Sequence, residues 1–131
     1  MTGGIKEDIK ENIAFAGERW AEGQNALARS RFGIAVSHVY YTCFYYLRAL
    51  LLTKGTEYQT HKGVLIGFRK LFVKEGLAPA GMADFLEKLA RDRIEADYKF
   101  AKFTAEDVAA FLKKAEGFIA FAEAYLKKAM E

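Results

Sequence analysis

The stretch FGIAVSHVYYTCFYYLRALLLTK, from Phe32 to Lys54, decides how the rest of the chain must fold. Placed on a helix at 100° per residue, its apolar side chains occupy almost every angular position. One partner surface cannot cover them all, so several other segments must pack around it. The expectation is a central helix rich in aromatic residues. Ser37, His38, Thr42 and Arg48 interrupt it, leaving it short of the roughly 20 predominantly apolar residues that span a bilayer. Cys43 lies inside the aromatic run and reads as a small buried apolar group.

On the N-terminal side, Ile5, Ile9, Ile13, Ala16, Trp20, Gly23 and Leu27 recur at three- and four-residue steps. That spacing predicts a first amphipathic helix covering one side of the central one. The tight link Arg29-Ser30-Arg31 implies antiparallel packing of the pair, and Gly33 implies a close helix contact. On the C-terminal side, Gly55 is a stop signal, and Thr60 is an N-cap for a third helix carrying Val64, Leu65, Phe68, Leu71 and Phe72. Gly76 ends that helix, and Pro79 favours the first turn of a fourth, with Met82, Phe85, Leu86 and Leu89 inward. Thr104 caps a fifth helix, with Asp107 in the capping-box position. In that helix Val108, Phe111, Ala115, Phe118, Ala122, Tyr125 and Ala129 repeat at heptad spacing. No segment alternates with period two. The fold class is therefore all-α, an antiparallel five-helix bundle around the central helix, with residues 1–131 forming a single domain.

A length of 131 residues suits one domain, burying ~70% of the surface its unfolded chain exposes. A net charge of +3 does not by itself indicate a nucleic-acid binder, because what matters is whether the basic groups share a face. Neither a signal peptide nor a membrane anchor is read from Met1 to Lys10, and a cytoplasmic, reducing location is expected. The two histidines lie in different segments with no Cys or His cluster beside them, so neither a metal nor a cofactor is expected. Gly-rich phosphate loops and the common hydrolase signatures are absent from the sequence.

Chemistry concentrates at Ala90-Arg91-Asp92-Arg93-Ile94-Glu95-Ala96-Asp97-Tyr98. Arg93 and Ala96 extend the inward stripe, with Asp97 at its margin. Arg91, Ile94 and Tyr98 fall on the opposite side and suit a protein contact. One reading of the charges is structural: intrahelical pairs of Arg91 with Glu95 and Arg93 with Asp97. The other is functional, because a guanidinium presents a rigid fork of donors to phosphate or carboxylate. His61 and Lys62 begin the third helix, where basic groups oppose the helix dipole unless an anion is near. The alternative for His61 is an exposed side chain bonded to a carbonyl. His38 reads as a core or interface histidine.

Several of these segments together resemble the HEPN domain family. They are Ala35-Val36-Ser37-His38-Val39-Tyr40-Tyr41, Arg48-Ala49-Leu50-Leu51 to Lys54-Gly55, Thr60-His61-Lys62-Gly63, Phe72-Val73-Lys74 and Arg93-x-x-Ala96-Asp97-Tyr98. They follow in the family's order from about Ala28 to Lys128. The resemblance implies a five-helix HEPN bundle, commonly a homodimer, with a link to nucleotides. Many relatives are ribonuclease toxins encoded beside a small nucleotidyltransferase antitoxin. Their motif is an arginine, a polar residue and, a few residues later, a histidine at the dimer cleft. Carried over, the motif arginine falls on Arg91 and the polar residue on Asp92. The positions four to six further on hold Glu95, Ala96 and Asp97, so the histidine is missing. A carboxylate with a pKa of about 4 is poorly matched to proton transfer at neutral pH, compared with imidazole at about 6.5. Tyr98, seven after Arg91, stands in the register of a tyrosine that accepts nucleotidyl groups in some toxins. Arg-x-x-Ala-Asp-Tyr also reads as the signature of a HEPN branch whose arginine is Arg93.

Three readings follow. In the first the protein is a dimeric nucleotide- or RNA-associated module, without the usual ribonuclease motif, that works with a nucleotidyltransferase in a toxin–antitoxin-like pair. Arg91, Arg93, Asp97, Tyr98 and Lys62 would be its ligand-binding residues. In the second it is a metal-independent endoribonuclease in which His61 or a carboxylate replaces the missing histidine. In the third the charged helix end is a structural clasp only.

Overall fold

The computed structural model describes residues 1–98 and 102–131, Tyr98 by its backbone alone. Among these residues there are five α-helices: α1 (Gly3–Ala28), α2 (Phe32–Leu52), α3 (His61–Phe68), α4 (Ala80–Tyr98) and α5 (Ala105–Ala129). The all-α bundle expected from the sequence is what forms. α2 lies at its centre, touching α1, α3, α4 and α5. Its buried positions run from Ala35 through Val39, Tyr40, Cys43 and Leu47 to Leu51 and face in all directions. No helix among the described residues is long and apolar enough to cross a membrane.

α1 and α2 form an antiparallel hairpin. Ser30 takes a left-handed conformation (φ 57°), and the Arg31 amide bonds the Ala26 carbonyl at 2.8 Å, closing the turn. Gly23 lets the two backbones approach, since a Cβ there would stand 3.3 Å from that of His38. At the other end Gly55, with φ +74°, ends α2, a conformation that glycine adopts without a Cβ clash. Gly33 packs against Ala96 of α4, the close contact expected there.

The segment before α3 fixes where His61 sits. Thr60 caps the helix by accepting the Gly63 amide at 2.9 Å. Tyr58 lies across α3 over Gly63 and Gly67, and a Cβ on Gly67 would come within 2.6 Å of its ring. The expected single helix from Val64 to Phe72 is in fact two pieces, because a π turn follows α3 at Arg69–Val73. In it the Lys74 amide bonds the Arg69 carbonyl at 2.8 Å. The widened turn leaves Phe68 and Phe72 both fully buried, their rings stacked at 5.5 Å. Arg69 there reaches α4, bonding Glu87 and Asp84 at 2.7 Å each.

α5 starts with the capping box expected of Thr104 and Asp107, both reciprocal bonds being present. Val108, Phe111, Ala115, Phe118, Ala122 and Leu126 are buried along one stripe. With Ile9, Val36, Leu50, Phe68, Phe72, Leu86 and Leu89 they form one continuous core.

Candidate functional site

α2, α3 and α4 bring three polar side chains from distant parts of the sequence together. Tyr40 projects from the middle of α2 toward the first residue of α3, and its hydroxyl lies 2.5 Å from Nδ1 of His61. The imidazole stacks on Phe44 with ring centres 4.4 Å apart. From α4, the guanidinium carbon of Arg93 lies 5.1 Å from the centre of the Tyr40 ring and 5.7 Å from that of Tyr41, within cation–π range. These groups border a cavity of about 540 Å³, also lined by Lys62, Arg91, Glu87 and Ile94.

Arg93 is an under-satisfied cation. Only 9% of the residue is exposed, its Nε is buried with no hydrogen-bond partner, and its ion pair with Asp97 is long, at 3.5 Å. Buried charges are ordinarily paired and fully bonded, so the arrangement has capacity left for an anion. Glu87 does not cancel the local positive charge, because Arg69 bonds it and holds its carboxyl below the usual carboxylate range. That leaves Lys62, Arg91 and Arg93 facing the cavity.

Burial, and after it the Arg93 charge, push His61 below its ordinary pKa of 6.5. At neutral pH the imidazole is therefore uncharged and one of its nitrogens holds a lone pair. Tyr40 stays a hydroxyl, its pKa pushed up by burial to about 12. With Nδ1 engaged by Tyr40, Nε2 is the nitrogen a ligand would meet. If Nδ1–H donates to the tyrosine oxygen, Nε2 accepts a proton, and in the opposite tautomer Nε2–H donates one.

Of the residues singled out in the sequence, the structure groups His61, Lys62, Arg91 and Arg93 around this cavity. His61 is half-buried and bonded to a phenol, not an exposed histidine on a carbonyl, because Tyr58 and the Thr60 cap seat α3 against α2. Asp97 faces a neighbouring cavity with His38, Ser37 and Arg31. The side chain of Tyr98 lies outside the described residues. The expected Arg93–Asp97 pair forms, and beside it Lys88 pairs with Asp92 at 2.7 Å. His38 sits at the α1–α2 contact, where Arg19 donates to its Nδ1 at 3.3 Å and Nε2 faces Glu22 at 3.3 Å.

Tyr40 is the functional candidate that reading the sequence missed, since within an aromatic run it looks like core. Its signal is that a buried tyrosine hydroxyl needs a hydrogen-bond partner, and few polar residues are available to supply one. Cys43 is buried, and desolvation pushes its thiol well above the ordinary range, so it takes no part. Among the described residues no three His, Cys, Asp or Glu side chains gather closely enough to hold a metal ion.

A five-helix bundle built around a central aromatic helix fits the family suggested by the sequence segments. A model of the HEPN domain matches residues 9–125, and the chain belongs to the HEPN family. A UPF0332 protein of Thermotoga maritima is 37% identical over 94 residues, 71% of each chain. A protein of Methanocaldococcus jannaschii named "Putative toxin" is 31% identical over 115 residues, 88% of this chain and 86% of that one. A second M. jannaschii protein of the same description is 31% identical over 93 residues, 71% of this chain and 63% of that protein.

Proposed function

We propose that this HEPN protein is a toxin-type endoribonuclease that needs no metal, with Arg93 and Arg91 holding an RNA phosphate and His61 transferring protons. The observation that carries this reading is the joint position of His61, Arg91 and Arg93 on one cavity, with the imidazole fixed by Tyr40. The missing histidine of the α4 motif is thus replaced in space by a histidine from α3. In the reaction, Nε2 of His61 takes the proton of a ribose 2′-hydroxyl, whose oxygen attacks the adjoining phosphorus. The guanidinium groups offset the charge that builds on the phosphoryl oxygens. The bond to the 5′-oxygen breaks, and that oxygen leaves with a proton returned from the imidazolium. The products are a 2′,3′-cyclic phosphate and a 5′-hydroxyl.

General acid–base help of this kind contributes ~10²–10⁴-fold, and an imidazole with a lowered pKa is in its basic form at neutral pH. The names of the relatives agree with a toxin role. The test is incubation of the protein with RNA in excess chelator, followed by analysis of the product ends. Cyclic phosphate termini, and no cleavage of RNA with a 2′-deoxy residue at the cut site, are the expected result. Cleavage that stops when the chelator is added overturns it.

A second reading, favoured by the exposure of Ile66 (53%) and Ile94 (44%) at the cavity rim, is that this face meets another protein. That protein would be a second copy of the chain or a nucleotidyltransferase partner that uses Tyr98 as an acceptor, as a cytoplasmic toxin–antitoxin-like pair would require. Co-expression with such an enzyme and intact-mass measurement tests it. A gain of whole nucleotide units that vanishes in Tyr98→Phe supports it, and an unchanged mass rejects the acceptor role.

A further inference from the structure

A second cavity, of about 650 Å³, opens on the other side of the Arg93–Asp97 pair, between the start of α2 and the end of α4. Its lining differs in kind from the first. Arg31 and Asp97 bring one charge of each sign, Ser37 a hydroxyl, His38 an imidazole and Phe32 an aromatic ring. A bare phosphate gains little from so balanced a set. A nucleoside gains more, because an aromatic ring can stack on its base and a carboxylate and a hydroxyl can meet its base edge and ribose hydroxyls, with the His38 ring as part of the wall. Gly33 and Ala96 keep the floor low, with 3.9 Å between the place a Gly33 Cβ would take and the Ala96 Cβ. The volume lies within the range of small-molecule sites, ~300–1,000 Å³.

The two cavities border successive residues of one turn of α4. Arg93 faces the first and Asp97 the second, four residues or about 6 Å apart along the helix axis. The first cavity, with Lys62, Arg91 and Arg93, has the charge for a phosphate, and the second has the polar and aromatic groups for the nucleoside attached to it. The Tyr41 ring meets the guanidinium groups of both Arg19 and Arg93, whose carbons lie 4.7 Å and 5.7 Å from its centre.

We infer that the cavity of Phe32, Ser37, His38 and Asp97 is a nucleoside subsite for a single-stranded RNA whose phosphate occupies the neighbouring Arg93–His61 cavity. This rests on the functional reading above and adds to it a substrate class, an unpaired strand engaging at least one nucleoside beyond the reacting phosphate.

The protein carries two histidines, one in each cavity, so imidazole proton resonances report the cavities separately. The experiment titrates the full chain with inorganic phosphate, then with a dinucleoside monophosphate made with 2′-deoxyribose on its 5′ residue so that it cannot be cleaved. Phosphate is expected to move the His61 resonance alone. The dinucleotide is expected to move both, and in Ser37→Phe it should lose the His38 response and bind at least tenfold more weakly, with phosphate binding unchanged. A dinucleotide that moves His61 but not His38 overturns the subsite and leaves the phosphate reading intact. No response from His61 to either ligand overturns the phosphate reading, and the subsite with it.

Discussion

The Tyr40 hydroxyl and Nδ1 of His61 lie 2.5 Å apart across 21 residues of sequence, which fixes the first residue of α3 to the middle of α2. The position of the imidazole is thereby set by a buried helix and not by the loop that precedes it. Tyr40→Phe keeps the ring and removes this bond. A loss of about 1 kcal/mol in stability is expected, the usual net worth of such a hydrogen bond. RNA cleavage should fall at least tenfold, read by single-turnover rates beside a thermal melt. Unchanged cleavage would show that the tyrosine does not orient the base.

Arg93 separates a structural role from a functional one. Arg93→Ala removes a largely buried cation and its packing on Tyr40, and should lower stability by ~3 kcal/mol. Arg93→Met refills most of the volume without the charge, and replacing a buried ion-pair member by an apolar side chain of similar size is often close to neutral. The methionine variant should melt within a few degrees of the parent and still lose RNA binding and cleavage. Retained RNA binding in that variant would leave Arg93 as a helix clasp only.

Both histidines titrate below their ordinary value. For His61 the causes are burial and then the Arg93 charge. For His38 burial lowers it first, Glu22 opposes, and Arg19 lowers it again. The unfolded chain, with histidines near 6.5, then binds more protons than the folded one at mildly acidic pH. Stability is accordingly at its full value above pH 6.5 and is lost as the pH falls through the depressed folded values. Chemical denaturation midpoints from pH 8 to pH 5 should decline below about 6.5, where unperturbed histidine titrates, and less steeply in His61→Gln. In the same range cleavage should fall with acid, because protonation removes the base.

Tyr58 over Gly67 gives a prediction away from the charged residues. Gly67→Ala places a methyl group within 2.6 Å of the ring, so Tyr58 or α3 must shift, at a cost of about 1–3 kcal/mol. Pairing it with Tyr58→Ala, which removes the obstruction, should show strong non-additivity in a double-mutant cycle. Additive losses would indicate that the two residues do not meet.

The bundle was legible in the sequence because its helices carry strong local signals. The wide apolar surface of Phe32 to Leu52 marked the centre, Thr60 and Thr104 marked helix starts, and Gly55 and Gly76 marked stops in left-handed conformations. The burial of Arg93 followed from its place on the inward stripe of α4. What local pattern could not give was the distance between segments. Nothing in Thr60-His61-Lys62-Gly63 reveals that the imidazole meets Tyr40, because that depends on how the loop at Tyr58 returns α3 along α2. The π turn at Arg69–Val73 escaped notice for a similar reason: the sequence there keeps a helical pattern, and the widened turn accommodates Phe68, Phe72 and the Arg69 contacts with α4. The pairing of His38 with Arg19 and Glu22 likewise depends on the register of the α1–α2 hairpin.

The central claim, that His61 is the proton-transferring group at an arginine-held phosphate, is tested most directly by one comparison. Single-turnover cleavage of a single-stranded RNA in excess chelator is measured for the parent and for His61→Ala, with the fold of each checked by circular dichroism. A folded His61→Ala that still binds the RNA but cleaves it at least a hundredfold more slowly is the expected result. Equal rates in the two proteins, or no cleavage by the parent, would contradict it.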